Sequence, residues 1–131
     1  MIFIKTKKMN EELVNKTFTF SLSLIELYIS LLRDNEFELS KKVFESGTSI
    51  RANVEGALAA LEKKEFIQKL SMASKQAVEA RYWLKMIQMN HFISYSCDDC
   101  VEQLNEIINT LNYLVQENNQ YKIRLSIENL N

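Results

Sequence analysis

The sequence predicts an all-α fold, a single bundle of four helices over residues 1–131, and three observations carry that prediction. The chain contains no proline and two glycines, although β-sandwiches and α/β folds need many turns built from these residues. Apolar residues recur at spacings of three and four over most of the chain, which is the period of a helix. Hydrophobic residues make up 47% of the chain and charged residues 25%, which is typical of one globular domain with a sizeable core.

The first predicted helix covers residues 11–34. Asn10 precedes two glutamates, an order typical of a helix start because acidic side chains favour the positive end of the helix dipole. The core face of this helix is formed by Leu13, Phe20, Leu24, Leu27 and Leu31. Asn35, followed by a glutamate three residues later, resembles a capping box, so a second helix is expected at residues 36–61.

The stretch SGTSIRANVEGALAAL, residues 46–61, contains both glycines within this second helix. Apolar spacing continues unbroken through Gly47, which predicts a continuous helix; a kink near Gly47 is the alternative. Small residues on one stripe would let a neighbouring backbone approach closely, and we expect Asn53 to be buried there and hydrogen-bonded, across helices. The residues predicted to allow close helix packing are Ser46, Gly47, Ser49, Asn53 and Gly56.

The third and fourth helices are expected at residues 63–89 and 97–118. A one-residue phase slip in the apolar spacing favours a turn near Glu62, and one continuous helix is the alternative. The segment NHFISYS, residues 90–96, is predicted to be a loop, with Ser96 capping the fourth helix.

The two tails, residues 1–10 and 119–131, alternate in part between polar and apolar residues, as a strand does. In an up-down-up-down bundle the tails would lie at the same end and could pair as antiparallel strands. Frayed tails or tails that extend the helices are the commoner outcome, and this alternative stays open here.

The first and third helices each carry a second apolar row beside the core row. Together the two rows cover more than half of the helix circumference, whereas a surface helix of a monomer needs an apolar stripe of about 100°. We expect another copy of the chain to cover the apolar surface that does not face the core. A wide core inside one bundle is the alternative. The predicted interface residues are Phe18, Leu22, Ile25, Ile29, Met72, Trp83 and Met86.

Charge is segregated along the chain, although the net charge is only −1. Residues 63–90 contain six basic and two acidic side chains, and residues 91–118 contain five acidic side chains and no lysine or arginine. One basic patch is therefore predicted as a candidate nucleic-acid surface, with a solvated face balanced by the fourth helix as the alternative. Its members are Lys63, Lys64, Lys75, Arg81 and Lys85.

The sequence offers no recognisable catalytic or metal chemistry. Cys97 and Cys100 lack the strand and βαβ context of a thioredoxin motif, and zinc needs four ligands although His91 is the only histidine. No glycine-rich phosphate loop and no nucleophile with a plausible base is present. We expect no catalytic residues, no metal and no cofactor.

No targeting or membrane segment is evident either. The first residues, MIFIKTKKMNEEL, carry charges too early for a signal peptide, and no window approaches the roughly 20 apolar residues of a membrane span. We expect a cytoplasmic protein with reduced cysteines and no membrane partner.

Two motifs resemble the four-helix-bundle proteins of the 23S ribosomal RNA intervening-sequence family. LSKKVFESGTSIRANVEGALAA and KKEFIQKLSMASKQAVEARYWL, residues 39–60 and 63–84, are similar to the family patterns Leu-Ser-Lys-Gln, Ser-Gly-Thr-Ser-Ile-Gly-Ala-Asn, Lys-Lys-Asp-Phe-Ile and Glu-x-x-Tyr-Trp-Leu. The resemblance covers residues 18–115. The family is bacterial and includes the accessory variability protein of diversity-generating retroelements.

The resemblance implies an antiparallel up-down-up-down bundle assembled as a homopentamer around a central channel. It implies a non-enzymatic protein that binds RNA or a ribonucleoprotein, and a protein-docking scaffold without a nucleic-acid role is the alternative. The chain departs from the family pattern at Arg51, where relatives usually have glycine. It departs again at Gly56, three positions after Asn53, where relatives commonly have a glutamate and this chain has its glutamate at Glu55.

Overall fold

The computed structural model describes the backbone of residues 2–90 and 95–130 and the side chains of residues 7–90 and 95–119. These residues form four α-helices and no strand: α1 Ile2–Arg33, α2 Phe37–Leu58, α3 Lys63–Met89 and α4 Asp98–Leu130. The all-α prediction is therefore confirmed. Over their described backbone the tails extend α1 and α4, which is the helix-extending alternative, and they do not pair as strands there. His91 and the rest of residues 91–94, within the predicted loop, lie outside the described residues.

Helix α1 ends in a Schellman motif. The Asn35 N–H donates to Leu32 O at 3.1 Å and the Glu36 N–H donates to Leu31 O at 2.9 Å. Asn35 has φ 61°, a left-handed conformation that asparagine tolerates better than most residues. Asn35 thus closes α1, and its predicted role in a capping box that starts α2 is wrong; the N-cap of α2 is Glu36, which makes no side-chain cap hydrogen bond.

Helix α2 runs through Gly47 without a break, since it spans Phe37–Leu58. Its polar side chains donate to carbonyl oxygens one turn earlier in the same helix, so their hydrogen-bond donors are satisfied within α2. Ser46 Oγ donates to Lys42 O at 2.9 Å, and Asn53 Nδ2 donates to Ser49 O at 2.9 Å. The expectation that Asn53 is buried and bonded across helices is wrong, because its side chain is half-buried and bonds within α2.

Helices α3 and α4 begin at Lys63 and Asp98. The N-cap of α3 is Glu62 in an extended conformation, with φ −110° and ψ 143°, so the turn lies where the phase slip predicts it. At the start of α4, the Asp98 N–H donates to Ser96 Oγ at a long 3.5 Å, and the Val101 N–H donates to Cys97 O at 2.9 Å.

Each helix packs against two others, in the cyclic order α1, α2, α3, α4 and back to α1. Over the described backbone, α1 and α3 are not adjacent, so they occupy opposite corners of the bundle. Along each bonded pair of helices, the residue numbers of the partners increase on one helix while they decrease on the other. The bonded pairs are Lys16–Thr110 and Ser23–Gln103 between α1 and α4, and Ser74–Asn112, Arg81–Asn105 and Gln88–Asp98 between α3 and α4.

One hydrophobic core lies between the four helices. The whole predicted core face of α1 is buried in it, and α3 contributes alanine at positions 73, 77 and 80, which lets its neighbours approach closely. None of the described helices has the length and apolar content that a membrane span requires.

Candidate interaction surfaces of α1 and α3

Helix α1 presents a second apolar side to solvent. Four of its large side chains are between 44% and 57% exposed. At 100° per residue they lie within about 60° of one another, on the side of α1 away from the core. We call this set the α1 face; it consists of Phe18, Leu22, Ile25 and Ile29.

Helix α3 presents an apolar surface at the opposite corner. Four of its side chains are between 46% and 58% exposed. We call this set the α3 face; it consists of Met72, Val78, Tyr82 and Met86. Both methionines are among the predicted interface residues. Val78 and Tyr82 are not, although each of them falls on the outward side of α3 at 100° per residue.

Trp83, predicted as an interface residue, lies at the flank of this surface. It is half-buried and packs against the core. Its ring meets Tyr82 edge-on, with ring centroids 5.0 Å apart and an interplanar angle of 70°. Trp83 therefore packs between the core and the Tyr82 ring. Tyr82, and not Trp83, is the exposed aromatic side chain of this surface.

The predicted basic patch divides into two groups. Lys64, Lys75 and Lys85 are exposed on the outward side of α3, spread over about 32 Å at a rise of 1.5 Å per residue. Lys63 and Arg81 lie on the flank nearer α4: Arg81 Nη1 donates to Asn105 Oδ1 at 3.2 Å, and desolvation lowers the pKa of Lys63. The structure therefore leaves three lysines exposed along α3, over an arc of about 80°, and does not gather all five residues together.

Lys75 lies within the α3 face. At 100° per residue, Tyr82, Lys75 and Met86 fall within about 40° around the axis of α3. Along that axis Lys75 lies between Met72 and Val78. The apolar surface and the basic surface of α3 are consequently one and the same side of the helix.

Small side chains of α2 face both of its neighbours. A Cβ atom placed on Gly47 would overlap Leu24 Cδ2 of α1 and lie 3.2 Å from Leu24 Cδ1, whereas a Cβ on Gly56 would meet the Lys69 side chain of α3 at 3.4 Å, an ordinary contact. Close approach thus requires glycine at position 47. At position 56 the space would accept alanine.

The two departures from the family pattern interact with each other. Arg51 Nη1 donates to Val14 O of α1 at 2.7 Å and to Thr17 Oγ1 at 3.1 Å. Glu55 holds the same guanidinium from α2, in an ion pair with 2.6 Å between Arg51 Nη2 and Glu55 Oε1. Arg51 therefore connects α2 to α1. Glu55 follows Arg51 by four residues, a spacing at which two side chains of one helix can form an ion pair.

The cysteines at the start of α4 are part of the core. Cys97 and Cys100 are both free and buried. Burial raises the pKa of Cys97 to about 12 and that of Cys100 to about 11, so both remain protonated thiols at neutral pH. Among residues 7–90 and 95–119, no group of three or more His, Cys, Asp or Glu side chains is arranged to hold a metal ion.

Two shallow grooves border α1. One, of about 190 Å³, lies between α1 and α4, and the other, of about 380 Å³, lies between the start of α1 and the end of α2. Gln103 lines the first groove, where its Nε2 donates to Ser23 Oγ at 3.3 Å and its buried Oε1 accepts no hydrogen bond. Both grooves lie away from the α3 face.

Comparisons with known proteins agree with the resemblance drawn from the motifs. A family model described as 23S rRNA-intervening sequence protein matches residues 9–113. A crystal structure of a protein of unknown function from the S23 ribosomal protein family of Bacteroides thetaiotaomicron is 29% identical, with a TM-score of 0.77. The match covers 82% of this chain and 98% of that chain. A comparison with curated proteins gives no match.

Proposed function

Because the chain belongs to the 23S rRNA-intervening sequence protein family, we propose that it is a non-enzymatic, self-associating bundle that binds RNA or a ribonucleoprotein in the bacterial cytoplasm. The bundle has up-down-up-down topology, which the opposite numbering of hydrogen-bonded partners in α3 and α4 supports. The assembly is a ring of five copies, as the family resemblance implies.

The observation that carries self-association is the placement of two exposed apolar faces at opposite corners of the bundle. A two-fold contact uses one patch against itself, and would leave the other face uncovered. In a head-to-tail contact, the α1 face of one copy covers the α3 face of the next. Repetition of that contact covers every apolar face only when the copies close into a ring.

The size of the two faces favours ring closure over isolated pairs. Four half-exposed side chains on each face amount to about two fully exposed ones, worth about 3–6 kcal/mol per face at 1.5–3 kcal/mol per side chain. One contact therefore provides about 6–12 kcal/mol, which is comparable to an association cost of about 4–15 kcal/mol. A ring of n copies makes n contacts for n − 1 associations, so the closing contact stabilises the whole assembly.

Mixing two variants tests the head-to-tail contact. Leu22→Glu places a charge on the α1 face and Met86→Glu places one on the α3 face; both sites are half exposed, so folding should persist. Each variant alone should be a monomer, since every contact needs both faces. An equimolar mixture should form one-to-one dimers through the two faces that remain intact.

The control for this experiment is Ala52→Glu, which adds the same charge at an exposed position of α2. It should assemble as the unsubstituted chain does. Self-association of either face variant alone, or no dimer in the mixture, would contradict the head-to-tail contact.

RNA binding is supported by the three outward lysines of α3 and by the ribosomal RNA in the family's description. Three phosphate contacts predict that affinity falls about 20- to 40-fold between 50 and 200 mM salt, from a slope of about −0.7 to −0.9 per contact. Binding of a structured RNA, followed by fluorescence anisotropy over this salt range, tests the proposal. Absence of binding even at low salt would overturn it.

A matched pair of variants tests the location of the RNA surface. Lys75→Gln combined with Lys85→Gln removes two charges from α3 and should weaken binding and flatten the salt slope by about two contacts. Lys41→Gln combined with Lys42→Gln removes the same charge from exposed positions of α2 and should change binding little. Equal losses in the two double variants would place the RNA surface elsewhere.

A further inference from the structure

Helix α3 has one outward side, and two proposed partners need it. The α3 face supplies the apolar surface for the next copy of the chain, and Lys64, Lys75 and Lys85 on the same side supply the positive charge for phosphates. Lys75 is central to both, because it lies within about 20° of both Tyr82 and Met86 around the helix. Tyr82 is 58% exposed beside it.

We infer that RNA binding and self-association exclude each other at α3, so that RNA binds the dissociated chain and drives the assembly apart. This inference rests on the proposed function and adds its regulation.

The geometry of Lys75 explains the exclusion. In the assembled state its four-carbon stem extends the apolar surface of α3, and its ammonium group reaches for the edge of the contact. The α1 face that covers it consists of Phe18, Leu22, Ile25 and Ile29. The nearest exposed carboxylates, Glu11 and Glu26, lie at the end and the flank of this face, so neither pairs with an ammonium group at its centre. A phosphate can approach the Lys75 ammonium fully only when the neighbouring α1 face is absent.

The converse holds for the bound state. A phosphate backbone held by Lys75 lies over Met72 and Tyr82, and a hydrated polyanion there prevents an apolar helix from packing on them. Because RNA then binds only the free chain, RNA at 100 times its dissociation constant makes the total dissociated chain about 100 times the unbound chain, which draws copies out of the assembly. Because the assembly is in equilibrium with the free chain, each copy that binds RNA is one that can no longer join an assembly.

The predicted salt response has a definite sign. Higher salt weakens the phosphate contacts, whereas apolar contact between copies is not weakened by charge screening. RNA should therefore dissociate the assembly at low salt, and added salt should restore the assembly at the same RNA concentration.

Sedimentation velocity with a fluorescently labelled RNA hairpin tests the inference on the full chain. At low salt, increasing hairpin should convert the assembly into a complex of one chain and one hairpin, and 300 mM salt should reverse the conversion. Lys75→Met should still assemble, because its unbranched apolar side chain keeps the surface that the lysine stem provides, and should need at least several-fold more hairpin to dissociate. Lys41→Met, which removes one charge from an exposed position of α2, should behave as the unsubstituted chain.

The outcomes separate this inference from the function on which it rests. A labelled species with the mass of the intact assembly plus RNA would overturn the exclusion and leave the proposed function standing. A chain that stays monomeric without RNA, or that binds no hairpin at low salt, would overturn the proposed function itself and the exclusion with it.

Discussion

The close approach of α1 and α2 at Gly47 predicts opposite effects for two glycine-to-alanine substitutions in one helix. Gly47→Ala would place a methyl group against Leu24, which is buried in the core. Gly56→Ala would place the same group at 3.4 Å from the flexible Lys69 side chain. Both sites are inside α2, so the gain in helix propensity is the same for both.

The expected magnitudes follow from two competing terms. Alanine is favoured over glycine inside a helix by about 1 kcal/mol, whereas overpacking a dense core costs about 1–3 kcal/mol. Gly47→Ala should therefore lower the free energy of unfolding by about 1 kcal/mol, and Gly56→Ala should raise it by about 0.5–1 kcal/mol. At about 4 °C per kcal/mol for a chain of this length, the two melting temperatures should differ by about 6–8 °C.

Urea unfolding at a fixed chain concentration measures both effects, and the monomeric Leu22→Glu background removes the contribution of assembly. Combining Gly47→Ala with Leu24→Val should cost less than the two separate losses together, because valine vacates the position that the new methyl group needs. Equal or stabilising effects of the two glycine substitutions would refute the close approach. Additive losses in the double variant would refute Leu24 as its cause.

Further predictions concern the tie between α1 and α2 and the buried thiols. Arg51→Ala should lower the free energy of unfolding by about 1–2 kcal/mol, because the charged hydrogen bond to Val14 O is lost. Glu55→Ala should lower it by at most about 0.5 kcal/mol, and by nothing further when Arg51 is already alanine. An equal loss from the two single variants would contradict this difference. Cys97 and Cys100 have pKa values raised from 9.0 to about 12 and about 11. The unfolded thiols therefore lose protons that the folded ones keep, and the free energy of unfolding should fall above pH 9 by up to about 1.4 kcal/mol per pH unit for each thiol. Chemical unfolding at pH 8 to 11 should show a shallower fall when both are replaced by alanine; identical slopes would contradict the buried placement.

Apolar spacing predicted helices and the buried side of each, although the turn between α2 and α3 rested on one phase slip and on the family resemblance, with one continuous helix as the alternative. In α1 the row from Leu13 to Leu31 is buried as its period requires, and the exposed row from Phe18 to Ile29 is the one that the sequence assigns to a partner. Such rows are specified by hydrophobic burial, which acts over a whole helix and therefore survives local exceptions.

Single polar residues were harder to place, because one residue type suits several local structures. Asparagine is favoured both at an N-cap and in a left-handed C-terminal cap, and Asn35 takes the second role. Asn53 satisfies its amide within its own helix, a local hydrogen bond that competes with any bond across helices. Spacing alone does not distinguish these outcomes.

The shared side of α3 could have been predicted from helical period, since Lys75, Tyr82 and Met86 fall together at 100° per residue. The tie from Arg51 to Val14 O was beyond sequence reasoning, because its acceptor is a backbone carbonyl of another helix. A main-chain oxygen leaves no signature in the residue types.

Native mass spectrometry of the full chain at low salt and without RNA tests most directly the claim that copies cover each other's α1 and α3 faces. One chain has a mass of 15.3 kDa. The account predicts a dominant species of about five chain masses, in the closed-ring form in which every apolar face is covered. A single 15.3 kDa species throughout the micromolar range would contradict it.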